Sequence, residues 1–432
     1  MDTIKLTYYK TIFKIASPVI LSQASVTCCT LTDLCFLKNF GTIAIAAISI
    51  ANTVIATFFN FLEGFRTGTS ILVSSFVKDK KSPCCILNTA FALAIFLGLV
   101  LCLLSPYLSQ FTYFCCSDRE LFKMGYDYLK LWLMSVPFTL IFYILVGYCR
   151  GNHDTILPLY ITIEICVLNA IFDYFFISVL GVKGAAIATI CSNALGVVTL
   201  ILFLLDKNQL SFTRKKQCFY PFKPYLKLLI NIGFYTGFVN IALIVFVCFI
   251  NRFGSSALAA HQVAFQVFLL CYLPAIGFLV SASVIIPRLL SRENEALIIP
   301  TAYRIIRLSI LFSLVTGILI FVFSSQISTY FIKDTSAKTL TIWLIKCMSF
   351  IQLVTCWNMT LRGILTGLYE TKFITKVGMF SGYVVFIPLM FIASCSGVKA
   401  CYIAFFIWCL CDALLFGYKF LTLNMEKYIN GK

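Results

Sequence analysis

The chain has 432 residues, 60% of them hydrophobic and only 12% charged, with a mean hydropathy of +0.95. That composition excludes a soluble domain of this length and points to a polytopic helical protein of the lipid bilayer. A net charge of +17 would suit nucleic acid, but the basic residues sit in connections between apolar runs, which is the pattern of membrane topology; no nucleic-acid partner is expected.

Twelve apolar runs are predicted to span the membrane, at 12–37, 43–76, 86–108, 122–148, 156–179, 184–205, 226–250, 256–288, 302–323, 339–361, 373–394 and 399–422. The first is expected to be a retained span, since a signal peptide would not carry the acidic Asp33. It also contains Pro18, which removes a backbone donor and bends a helix. The fifteen residues from Pro18 to Asp33 cover roughly 22 Å at about 1.5 Å per residue. At 100° per residue, Ser22, Ser25, Cys29 and Asp33 share one side of this helix. A carboxylate at membrane depth costs about 2.5–3.5 kcal/mol on insertion scales, so Asp33 is read as a functional group and Pro18 as a hinge.

The fifth run repeats the pattern. Thr162, Cys166, Asn169 and Asp173 fall on one face, with Asn169 and Asp173 at i, i+4. Two polar faces that each end in an aspartate can form one site. Two nearby carboxylates in a low dielectric repel, which favours a proton; together with Asn169 and hydroxyl oxygens they equally suit Na⁺. The alternative is a neutral Asp–Asn bond that only joins helices. Of the other acids inside predicted spans, Glu63 precedes Arg66 by three residues and reads as a local ion pair or a cavity mouth. Glu164 reads as helix packing, and Asp412 leans to a structural role.

Most of the 34 basic residues, including Lys5, Lys10, Lys14, Lys78, Lys80, Lys81, Arg150, Arg214, Lys215, Lys216 and Arg362, fall on the side of the N-terminus. The positive-inside rule therefore expects both termini in the cytoplasm; the membrane is expected to be the plasma (bacterial inner) membrane. An internal repeat pairs GTIAIAAISIA (41–51) with GSSALAAHQVA (254–264), Arg150-Gly151 with Arg362-Gly363, and GVKGAAIA (181–188) with GVKACYIA (397–404). Two parallel six-span halves are thus expected: an N-terminal lobe at 1–206, a cytoplasmic linker at 207–225 and a C-terminal lobe at 226–432, with the pathway between the lobes. The two histidines, His153 and His261, have no ligand at metal spacing, and no phosphate-binding Gly-rich loop occurs, so neither a metalloenzyme nor an ATP-driven pump is expected. The chain is read as a transporter, not an enzyme, with no cofactor beyond a coupling ion.

These residues together resemble a known family. ASPVILSQ (16–23) with TDLCFL (32–37), FRTGTS (65–70), CRGNHDTILP (149–158), VLNAIFDYFF (167–176), GVKGAAIAT (181–189) and FGSSALAAHQVAFQ (253–266) match, in order, motifs of the multidrug and toxic-compound extrusion (MATE) family, DinF-like branch. The resemblance covers nearly the whole chain. It implies a V-shaped pair of six-helix lobes and a monomeric antiporter that exports organic, cationic or amphipathic small molecules against H⁺ or Na⁺. It also implies that Asp33 is the coupling carboxylate, Pro18 the bend, and Asn169 and Asp173 the fifth-helix partners. The seventh and tenth runs carry no acid, unlike other branches, so no second cation site is expected there. The alternative is a lipid-precursor flippase of the related superfamily, which would line its cavity with Arg and Lys for pyrophosphate; few basic residues fall mid-span here.

Overall fold

The structure is a computed structural model that describes residues 2–37, 41–78, 83–110, 119–207, 219–290, 295–331 and 335–423. Most of the predicted linker, 208–218, lies outside the described residues. Among the described residues every regular element is helical and none is a strand. The reason is the solvent: in hydrocarbon a backbone must satisfy its own polar groups, and a helix does so within one segment.

The helices are α1 (Asp2–Leu37), α2 (Gly41–Lys78), α3 (Cys84–Leu103), α4 (Ser105–Leu108), α5 (Arg119–Leu133), α6 (Val136–Gly151), α7 (Ile156–Leu180) and α8 (Val182–Asp206). They continue with α9 (Phe222–Asn251), α10 (Ser255–Leu289), α11 (Ile298–Phe331), α12 (Thr335–Gly367), α13 (Thr371–Met379), α14 (Ile387–Ser394) and α15 (Val398–Leu421). Ten stretches of the described residues are long and apolar enough to cross a membrane, and a bent pair makes an eleventh. The long α2 covers the predicted second span, so the twelve-span reading agrees closely with the observed helices.

Among the described residues three predicted spans are interrupted, each at a proline. The third breaks at Leu104, where α4 starts with Pro106 in its first turn. The fourth bends by 49° between Phe122–Leu133 and Val136–Gly151. Pro137 sits in the first turn of α6 and cannot donate to Leu133 O. That carbonyl instead accepts the thiol of Cys102 at 3.5 Å. The eleventh span is α13 and α14 joined by a π-helical stretch, Phe380–Phe386, just before Pro388. The wider turn accommodates the missing donor without ending the helix.

The internal repeat is visible in backbone conformation. Gly181 (φ 59°) and Gly397 (φ 100°) both take positive φ where α8 and α15 begin, a conformation that a side chain would strain. The two GVK motifs are therefore the same turn made twice.

By packing, the chain divides into two compact units, Leu21–Gly233 and Met1–Ile20 with Phe234–Lys432. The core of the first is built around Trp132, Leu133, Leu140, Ile144 and Leu145, all 0–3% exposed. In the second, the first half of α1 lies on α10. Ile12, Ile15 and Val19 join Phe278 in its core, and Ser281 donates to Ile12 O at 3.3 Å. A second core there is aromatic. Phe246 stacks on Phe405 at 5.0 Å, Phe386 on Trp408 at 4.4 Å, and His261 Nδ1 shares a 2.8 Å hydrogen bond with the Tyr402 hydroxyl.

Candidate functional site

The two polar stripes expected from the sequence meet in the first unit. Ser22 Oγ donates to Thr162 Oγ1 at 3.0 Å. Cys166 Sγ donates to Ser25 O at 3.5 Å. Cys29 Sγ donates to Asn169 Oδ1 at 3.1 Å. The sequence separations are 140, 141 and 140 residues. A constant separation means that α1 and α7 run in the same direction, side by side and in register. Each rung is worth on average about 0.6 kcal/mol inside a membrane, so three rungs orient the pair without locking it.

Asn169 is 3% exposed and Asp173 is fully buried, one turn further along α7. The Asn169 Nδ2 finds no hydrogen-bond partner among the described residues. The backbone of Asp33 belongs to α1, while its side chain lies outside the described residues. Pro18 lies within α1. Its missing N–H leaves a gap in the ladder, and the neighbouring Ser17 hydroxyl bonds Phe13 O at 2.8 Å. The packing boundary between Ile20 and Leu21 falls within one turn of Pro18.

The other acids resolve individually. Glu63 is the expected ion pair: its carboxylate meets Arg66 Nη2 at 2.5 Å and accepts from Arg66 Nε at 2.9 Å. Glu164 accepts from Thr199 Oγ1 at 2.9 Å and so joins α7 to α8. Asp412 on α15 is 6% exposed and lies within electrostatic reach of Ser381 in the π-helical stretch and of Arg362. Ser381 also accepts from Trp408 Nε1 at 3.1 Å. Asp412 thus faces the π-helical stretch and balances a guanidinium. Asp412→Asn is expected to lower the melting temperature by about 2–4 °C, the equivalent of about 1 kcal/mol. Gradient-driven export should remain within a few-fold of wild type. A folded Asp412→Asn protein with no export would refute this assignment.

The repeat places no second carboxylate pair in the second unit. Shifting Asp33 by the repeat offset lands on Phe246, buried in the aromatic core, and shifting Asp173 lands on Leu389, packed against the same core. Among the described residues no group of three metal-ligating side chains occurs.

One cluster escaped the sequence reading. Arg150 was counted as a topological charge in a connection, whereas it lies inside α6 and is only 4% exposed. The available signal was the Arg-Gly pair that recurs at 362–363.

Comparison with known proteins places this geometry. The chain is 24% identical over 377 residues to the "Probable multidrug resistance protein NorM" of Thermotoga maritima, covering 84% of this chain and 80% of that one. Among solved structures, one described as MATE in the bent conformation superposes with a TM-score of 0.87 at 17% identity, over 98% of this chain and 96% of the other. One described as MATE in the straight conformation does so with a TM-score of 0.85 at 18% identity, over 98% and 97%. The MatE family model matches residues 18–175 and 232–392, both repeats in turn. With its helices, its doubled turn and this match over most of its length, the chain belongs to the MatE family of membrane transporters.

Proposed function

We propose that the protein is a secondary antiporter that exports organic small molecules, cationic or amphipathic, in exchange for a cation. H⁺ is the first choice of coupling ion and Na⁺ the second. The observation that carries this reading is the in-register ladder between α1 and α7. Continued by one turn at the same separation of 140, it sets position 33 against position 173. Two neighbouring carboxylates in a low dielectric repel when both are charged; a proton or Na⁺ removes the repulsion and lets the stripes close. Asp33 and Asp173 are the coupling pair and Asn169 a supporting ligand, all in the N-terminal lobe (1–206). The linker at 207–225 joins it to the C-terminal lobe (226–432). The protein works as a monomer in the inner membrane with both termini in the cytoplasm, in keeping with its basic connections. Its relative NorM is named for multidrug resistance, which agrees with a small-molecule cargo.

Pro18 is the hinge in this scheme. Solved relatives occur in bent and straight forms, and the proline weakens the ladder near the packing boundary. Pro18→Ala is expected to slow turnover about three- to tenfold while equilibrium binding of a dye changes less than about twofold. A loss confined to binding would count against a hinge. The proposal as a whole is tested by flux in proteoliposomes with an imposed pH or Na⁺ gradient and several dyes. No gradient-dependent flux of any of them would reject an antiporter.

A further inference from the structure

Two arginines and a single carboxylate meet between α2 and α6. Both oxygens of Glu63 are engaged within α2: Arg66 holds each of them, and the Thr67 hydroxyl donates to Oε1 at 3.0 Å. Arg150 comes in from the last turn of α6, 4% exposed, within electrostatic reach of Arg66, Glu63 and Tyr143. Its Nε finds no hydrogen-bond partner among the described residues. Neither does the hydroxyl of Ser70, which is 2% exposed and one turn beyond Arg66 on α2. The two helices are pressed together here. A Cβ at Gly147 would stand 2.5 Å from Arg66 O, and one at Gly151 would stand 2.9 Å from Ser70 O. Each of the two closely packed helices therefore carries a buried donor without a partner.

The charges do not balance. Two guanidiniums face one carboxylate, and arginine does not shed its proton in a protein. An uncompensated buried charge costs several kcal/mol, whereas the α6 C-terminal dipole returns only about 0.3–1 kcal/mol. The repeat-related Arg362 makes the contrast. It has Asp412 within electrostatic reach and lies over the Tyr235 ring at 4.8 Å. Among the described residues one unit gives this repeated arginine a carboxylate of its own and the other does not.

We propose that Arg150, with the Ser70 hydroxyl and the Arg66–Glu63 pair beside it, is a binding site for an oxyanion, a phosphate or a carboxylate. The planar fork of a guanidinium matches two oxygens of such a group, and Ser70 supplies a third donor. Glu63 already neutralises Arg66, so the site takes one negative charge. The same chemistry comes from two sources, the headgroup phosphate of an anionic lipid or a free anion in solution. The site lies in the last turn of α6, at the end where the basic pattern is expected to set the cytoplasmic surface.

The experiment is thermal unfolding of the full-length protein, wild type against Arg150→Gln. One arm uses detergent with sodium phosphate or sodium chloride at matched ionic strength. The other uses nanodiscs of phosphatidylcholine with or without phosphatidylglycerol. Wild type is expected to gain about 2 °C or more from phosphate, from phosphatidylglycerol, or from both, and Arg150→Gln to gain nothing from either. Stabilisation in the detergent arm alone assigns a free anion; in the nanodisc arm alone it assigns a lipid. In chloride, Arg150→Gln should melt no lower than wild type, because it removes an unbalanced charge. Equal stabilisation of both proteins, or none of wild type in either arm, overturns the site. If Arg150→Gln does not fold, Ser70→Ala decides. It should weaken apparent affinity for the stabilising anion at least about fivefold, and an unchanged affinity overturns the proposal.

Discussion

Asp33→Asn is expected to reduce gradient-driven export at least tenfold, while the protein inserts and folds as wild type does. Asparagine keeps the size and hydrogen-bonding of the side chain and removes its capacity to titrate. Placing a carboxylate in the first span costs about 2.5–3.5 kcal/mol on insertion scales, so the neutral variant should insert at least as well. On the proposed mechanism what is lost is part of the difference in affinity for the ion between the two states; a factor of ten corresponds to about 1.4 kcal/mol. Efflux should be followed with a dye under an imposed pH gradient and again under a Na⁺ gradient, at matched protein levels. Wild-type flux from the folded variant would remove Asp33 from the mechanism.

The second large effect concerns Asp173, fully buried one turn from Asn169 on the face that meets α1. Asp173→Asn alone is expected to cost about tenfold or more in export, and the double variant with Asp33→Asn about as much as either alone. Groups that act as one unit are non-additive, because the first loss already abolishes what the second would remove. The cycle needs a residual signal, so it is best run at a steep imposed gradient where each single variant retains measurable flux. Losses that simply multiply would mean two separate sites.

Much of this was legible in the sequence because a membrane narrows the choices. Apolar length gives the spans, and a 100° step gives the faces. The stripes Ser22–Ser25–Cys29 and Thr162–Cys166–Asn169 could be drawn before any contact was known, and they touch. The bend at Pro137 and the π-helical stretch before Pro388 were less legible. A proline marks where a ladder is interrupted, but whether the chain bends by 49° or widens a turn depends on which neighbour takes the freed carbonyl. The burial of Arg150 is illegible in the sequence for a different reason. Span limits drawn from hydropathy stop at a charge, so an arginine at the end of a run is counted as connection, although two glycines let α6 carry it into the packing. Packing against a neighbour decides that burial, and no window along a single segment contains the neighbour.

The ladder between α1 and α7 is built from unequal fasteners. At Ser22 and Thr162 a hydroxyl meets a hydroxyl; at Ser25 and at Asn169 the donor is a thiol. Sulfur holds its proton loosely out to a partner and makes a weaker bond than oxygen does. The join therefore tightens toward Ser22 and slackens toward Asn169 and Asp173. When the two helices are pulled apart, the thiol clasps give first and the hydroxyl clasp last. The contacts are graded along their length like stitches in a seam, the weaker ones lying toward Asn169 and Asp173.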